Sequence, residues 1–304
     1  MTAAETTAAD SPSTTASASR PWRGVLTGLL SVGLLAAILL QLKDASREAV
    51  AMLAALPAAA WLVFGLSYFV QPVADFVIFR RLWNLPLGAF EALLRKTAIN
   101  EAVLGYGGEL YLYLWARDRP AMATAPFGAV KDVSILSALG GNLLTLGLLA
   151  YAAPRLGALN LSQHLGPALW FGLGLTALSL CVVAFGRRVF SLPAATLVFV
   201  GAVHAARLAV FTGLTLLLWR LALPDLSLES WIQLLTLRMV VSRTPFVTNK
   251  ELVFGNLVLL LAGAKSPAAL LVASLALAWL AAHLAVLSAL GGLSLLRAAR
   301  GKAS

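Results

Sequence analysis

Charge is scarce in this 304-residue sequence. Only 12% of its residues are Asp, Glu, Lys or Arg, against roughly 25% in a soluble domain, and that shortage excludes a soluble globular class. Histidine and cysteine are scarcer still. His164, His204 and His283 lie far apart and offer no recognisable metal set, and one cysteine rules out a disulfide framework. Cys181 sits inside an apolar run and reads as a small buried apolar side chain. No G-x-x-x-x-G-K-[ST] loop occurs, so nucleotide-driven pumping is not encoded. A Gly-x-Ser-x-Gly elbow is missing too. No cofactor is expected and no enzymatic centre is legible. The net charge of +10 would suggest nucleic acid in a soluble protein. Here the basic residues lie between apolar segments, where they set topology and meet anionic headgroups.

What is abundant is apolar length. Runs near the 20 residues or so needed to cross a bilayer core of about 30 Å fall at roughly 24–42, 57–79, 127–153, 165–186, 193–222 and 267–296. They predict an all-α polytopic membrane protein with about six full spans. Residues 1–19, rich in Ser, Thr and Ala, bury too little apolar surface to order and are expected as a disordered tail. The run after Arg20 and Arg23 is longer than a signal-peptide core, so it reads as an uncleaved first span of a single transmembrane domain, 20–304.

Two regions break the pattern. Residues 87–117 and 228–264 each hold a helical stretch carrying charge, a polar break and a short apolar stretch. Irregular backbone at membrane depth is tolerated only under cover of protein or a wet cavity, so each is expected as a re-entrant helical hairpin. The regions echo each other in Phe90 and Trp231 (231 − 90 = 141), Glu109 and Glu251 (251 − 109 = 142), and Pro126 and Pro267 (267 − 126 = 141). An internal duplication follows, with repeat one at about 20–155 and repeat two at about 160–300. The basic clusters Arg20/Arg23, Arg80/Arg81/Arg95/Lys96, Arg187/Arg188 and Arg297/Arg300/Lys302 are expected on the cytoplasmic side, with both termini. Three full spans then separate the repeats, which makes them inverted, as in many transporters.

The stretch "NEAVLGYGGELYLYLWARD" (100–118), followed by "AVKDVSILSALGGNLLTLGLL" (129–149), resembles the transmembrane-domain family of lysylphosphatidylglycerol synthases and flippases. The resemblance implies a Gly-Glu pair opening a short helix, at Gly108–Glu109, and a second such element at Asn249–Lys250–Glu251. "RTPFVTNKE" (243–251) departs from the glycine-rich second element. It also implies a flippase-like membrane part without lysyl transfer, because no soluble transferase domain follows in this sequence. The expected substrate is the headgroup of an anionic phospholipid or of a polyprenyl lipid or glycolipid, in a bacterial-type inner membrane. A scaffold for a separately encoded envelope enzyme, or a membrane enzyme acting on a lipid phosphate, are the other classes.

Ionisable groups at membrane depth cost roughly 2.5–3.5 kcal/mol each on insertion scales and usually face a cavity or a partner. Glu109 and Glu251 each open a returning arm, either as anchors for a headgroup or as helix caps, a carboxylate suiting a helix N-terminus. Gly107 and Gly108 permit the break before Glu109. Arg207 and His204 share a helical face; Arg207 either grips a phosphate or pairs with Asp75, the expected structural partner. Arg238 and Arg243 read as a basic rim of snorkelling side chains, with Arg243 able to collect an anionic headgroup. Lys131 and Asp132 are expected at the interface.

Overall fold

The computed structural model describes residues 47–119, 126–152, 189–244, 249–263 and 265–300, with isolated positions between 170 and 181. The expected tail, the span 24–42, most of 165–186 and His164 lie outside them. Among the described residues every regular element is helical: α1 (Arg47–Ala54), α2 (Ala58–Trp83), α3 (Phe90–Ala102), α4 (Gly107–Arg117), α5 (Pro126–Ala152), α6 (Ala194–Ala222), α7 (Leu228–Ser242), α8 (Lys250–Ala262) and α9 (Pro267–Arg300), with a 3₁₀ turn at Leu87–Ala89.

Four helices, α2, α5, α6 and α9, are long and apolar enough to cross a membrane. Their apolar residues do not stop at the buried face. On α2, Leu62, Leu66, Phe69, Val73 and Val77 are exposed at three- and four-residue spacing, while Ala60, Val63, Phe64, Ile78 and Phe79 are buried. A helix apolar all round fits lipid on one side and protein on the other. The helix carries Pro72 in its interior, and it ends where Asn84 takes the left-handed conformation (φ 49°) ahead of Pro86, a helix stop built from residue type. Arg80 and Arg81 therefore belong to the helix itself, with guanidinium groups over the rings of Phe76 and Phe199.

The expected breaks are present. Helices α3 and α4, of 13 and 11 residues, and α7 and α8, of 15 and 13, reach only about 17–23 Å at 1.5 Å per residue, short of a bilayer core. Each short pair packs together, and each is flanked by a long helix before and after it, so the order long–short–short–long occurs twice. Contacts between the halves are reciprocal: α2 packs on α6, α3 on α9, and α7 on α5. A shift of 142 superposes buried positions across the halves: Ala89 and Trp231, Leu93 and Leu235, Leu112 and Phe254, Ala116 and Val258. Two apolar cores result. One gathers Leu93, Leu112 and Ala116 with Ile78, Phe79, Val130 and Val200. The other gathers Trp231, Leu235, Phe254 and Val258 with Trp219 and Leu271.

The first break differs from expectation in its detail. The left-handed residue is Tyr106 (φ 67°), not a glycine. The glycines serve close approach instead. A Cβ on Gly108 would collide with the Lys96 carbonyl oxygen and sit 2.9 Å from Asn100 Cγ, and one on Gly107 would lie 3.2 Å from Ile99 Cγ2. At the second break Asn249 (φ 53°) holds the corresponding place ahead of α8; Asn tolerates that conformation through its short polar side chain. Cys181, expected buried, is exposed. An apolar run fits a lipid-facing thiol as well as a packed one.

A candidate anion-binding seam between the two short helix pairs

The tips of the two pairs touch: the Asn249 N–H donates to the Glu101 carbonyl at 3.2 Å. Polar side chains gather around this junction. A cavity of about 290 Å³ is lined by Asp75, Lys96, Asn100, Glu101, Glu109, His204, Arg207, Arg243 and Lys250 among others, and a neighbouring cavity of about 210 Å³ adds Arg238 and Glu251 while sharing Glu101, Arg207, Arg243 and Lys250.

Glu109 is held from the outgoing helix. Asn100 accepts the Gly108 N–H at 2.7 Å through Oδ1 and donates to Glu109 Oε1 at 3.0 Å through Nδ2. One amide thus satisfies an orphan donor at the start of α4 and fixes the carboxylate beside it. Lys96 lies 2.7 Å from Asp75 Oδ2 and 3.5 Å from Glu109 Oε1, so one ammonium serves two carboxylates. In the second pair Arg238 donates Nε to Glu251 Oε2 at 3.0 Å and Nη2 to Glu251 Oε1, while its guanidinium lies over the Phe211 ring. The cation precedes its carboxylate by the same distance in both pairs, 109 − 96 = 13 and 251 − 238 = 13.

Several sequence expectations are corrected. Lys96, grouped with the cytoplasmic basic cluster, is buried, because α3 turns its face inward onto Asp75. Arg238 does not snorkel; it is buried against Glu251 and Phe211. Asp75 takes Lys96 as its ion-pair partner, whereas Arg207 donates to the side chains of Gln71 and Ser137. Asp132, expected at the membrane interface, is also buried within the protein: its Oδ2 accepts the Ser191 and Leu192 N–H groups at 2.6 and 2.7 Å and so holds the turn leading into α6.

The seam brings together Glu109, Arg207, His204, Arg243 and Asp75 around one cavity, with Glu251 in the adjoining one. Gly107 and Gly108 stand behind as the turn that positions Glu109. Sequence reasoning missed Asn100, Glu101, Gln71 and Lys250 as lining residues, and the cation–carboxylate spacing of 13 was the signal that could have found Lys96. His204 Nε2 lies 3.2 Å from the Val133 carbonyl, and His283 Nδ1 lies 3.2 Å from the Tyr68 hydroxyl. Among the described residues no group of His, Cys, Asp and Glu could hold a metal ion. Comparisons with protein-family models, curated proteins and solved structures find no match to this chain.

Proposed function

We propose that this protein is a flippase-like transporter that moves the polar headgroup of a phospholipid or glycolipid between the leaflets of a bacterial-type cytoplasmic membrane. The carrying observation is the charged seam where two broken helix pairs meet, walled by helices of membrane-crossing length. Ionic groups withdrawn from water add little stability over well-packed apolar ones, so nine of them at one junction, with Asp75, Lys96 and Arg238 buried and Glu101, Glu109, Arg207, Arg243, Lys250 and Glu251 half-buried, argue for a substrate path. In this reading the short pairs are re-entrant hairpins of an inverted repeat, both termini face the cytoplasm, and rocking of one half on the other opens the seam to each side in turn. The motif at 100–118 and its resemblance to the flippase transmembrane family point the same way.

The test is leaflet exchange of fluorescent phospholipids in liposomes containing the purified protein, beside a Glu109→Gln variant of equal thermal stability. Exchange above that of empty liposomes, lost in the variant, is expected. Wild-type protein that leaves the leaflets unmixed for phospholipid and glycolipid probes alike overturns the transport reading, and co-purification of an envelope enzyme would then favour a scaffold.

A further inference from the structure

The cations of the seam are unevenly matched. Asp75 and Glu109 share Lys96, and Glu251 takes Arg238. Among the described residues Arg207, Arg243 and Lys250 donate only to neutral oxygens: Arg207 to Gln71 and Ser137, Arg243 to the Ser242 hydroxyl, and Lys250 to the Ser242 carbonyl. Arg207 lies within electrostatic reach of Arg243, and Arg243 of Lys250; Glu101 is the carboxylate all three share, with Asp75 also near Arg207 and Glu109 near Lys250. Like charges crowded in a place of low dielectric repel, and a bound anion relieves that repulsion.

Three further observations indicate a ligand. Arg207 Nε is buried and has no hydrogen-bond partner among the described residues, and a buried donor of that kind calls for a partner. Gly141 on α5 lies so close to the Arg243 guanidinium that any Cβ there would occupy the same space; the small residue lets the cation reach the cavity. With all nine groups ionised the seam holds five cations against four carboxylates, 5 − 4 = +1, a balance that a single negative charge brings to neutrality. The cavity of about 290 Å³ is at the lower end of ligand pockets, a size for a headgroup rather than a whole lipid.

We infer that Arg207, Arg243 and Lys250 form a subsite for a phosphodiester monoanion, which docks where the two short helix pairs meet and supplies the counter-charge that the neighbouring carboxylates leave incomplete. The inference rests on the transport reading for its source, a lipid headgroup rather than a soluble phosphate ester. Guanidinium forks match phosphate oxygens in geometry as well as in charge.

The experiment is equilibrium binding to the purified full-length protein in neutral detergent, read by tryptophan fluorescence and by the shift in melting temperature. The probes are dioctanoyl phosphatidylglycerol, dioctanoylglycerol without the phosphate, and soluble glycerol 3-phosphate. Phosphatidylglycerol is expected to bind and stabilise the protein, with dioctanoylglycerol much weaker. Arg243→Gln and Lys250→Gln should each weaken binding about ten-fold or more, the scale of one charged hydrogen bond. Gly141→Ala, which keeps every charge but fills the guanidinium's place, should weaken it as well. Arg220→Gln, an exposed cation on α6 outside the seam, should bind as wild type does. Where a variant fails to fold, displacement of phosphatidylglycerol from the wild type by millimolar sulfate is the expected result, and its failure counts against the subsite. Equal binding of dioctanoylglycerol, or unchanged affinity in folded Arg243→Gln and Lys250→Gln, overturns the inference. Glycerol 3-phosphate binding as tightly as the lipid, with the same loss in the variants, would keep the anion subsite and remove the lipid reading. Phosphatidylglycerol binding without leaflet exchange would likewise separate the two.

Discussion

Removing the ammonium of Lys96 is the sharpest test of how the seam is held. In Lys96→Met the apolar stem is kept, but Asp75 loses its ion-pair partner at 2.7 Å and Glu109 loses its neighbour at 3.5 Å. Asp75 is completely buried, and its Oδ1 has no hydrogen-bond partner among the described residues, so losing the ammonium leaves a buried carboxylate without its ion pair. Breaking a buried pair from one side costs about 3–5 kcal/mol, more than a hundred-fold in the ratio of folded to unfolded protein at about 1.4 kcal/mol per factor of ten. Neutralising the orphan should return part of that cost. The double variant Lys96→Met/Asp75→Asn is expected to be more stable than the sum of the single changes by about 0.5–3 kcal/mol, the range for residues in contact. SDS-driven unfolding in mixed micelles, followed by the fluorescence of the eight tryptophans, measures all four corners of the cycle. A Lys96→Met protein within about 0.5 kcal/mol of wild type, or strictly additive changes, would refute the claim that this pair fastens α3 to α2.

Gly108→Ala should destabilise by about 1–3 kcal/mol through overpacking against Lys96 and Asn100, while Gly65→Ala, where an added Cβ meets nothing within 4 Å, should be neutral or slightly stabilising; melting temperatures compare the two. Asp132→Ala removes two backbone hydrogen bonds from the turn before α6 and should cost about 1–2 kcal/mol, as a lost helix cap does, seen as a lower melting temperature with the seam's ligand affinity retained. Burial pushes the Glu91 carboxyl up, but hydrogen bonds from Arg297 and Arg95 outweigh it and hold the group below the usual carboxylate range. Its contribution is therefore complete above the ordinary carboxylate value and is lost as pH falls through the lowered one. Acid titration of unfolding should show that loss in the wild type and a smaller one in Glu91→Gln.

The long helices were legible because composition alone marks them: 58–83, 126–152, 194–222 and 267–300 differ from the apolar runs by only a few residues at each end. The broken pairs were legible for a related reason, since charge and glycine interrupt apolar length at 87–117 and 228–264. The seam was legible only in part. Glu109, Arg207 and Arg243 stand out as charges in apolar surroundings, and they do meet at one cavity. Lys96 did not stand out, because it follows Arg95 and a pair of basic residues reads as one cluster. On a helix adjacent residues point about 100° apart, and here Arg95 turns to Glu91 and Ser294 while Lys96 turns to Asp75. Partner choice was illegible for the same reason. Lys96 is 21 residues from Asp75 and Arg207 is 132 (207 − 75), but separation along the chain does not say which helices meet, and only the packing of α2 on α3 and α6 decides it.

The bond between Asn249 and Glu101 is made by main-chain atoms alone. Side-chain substitution leaves donor and acceptor in place, and among the twenty residues only proline at 249 would delete the donor. Apart from the left-handed conformation that Asn249 tolerates, the joint between the tips makes no demand on what their side chains spell. One tip can carry glycines and the other Asn-Lys, one can mate its carboxylate with lysine and the other with arginine, and the two stay fastened. The chain can therefore retune the chemistry of each tip separately while inheriting a single mechanical coupling between them.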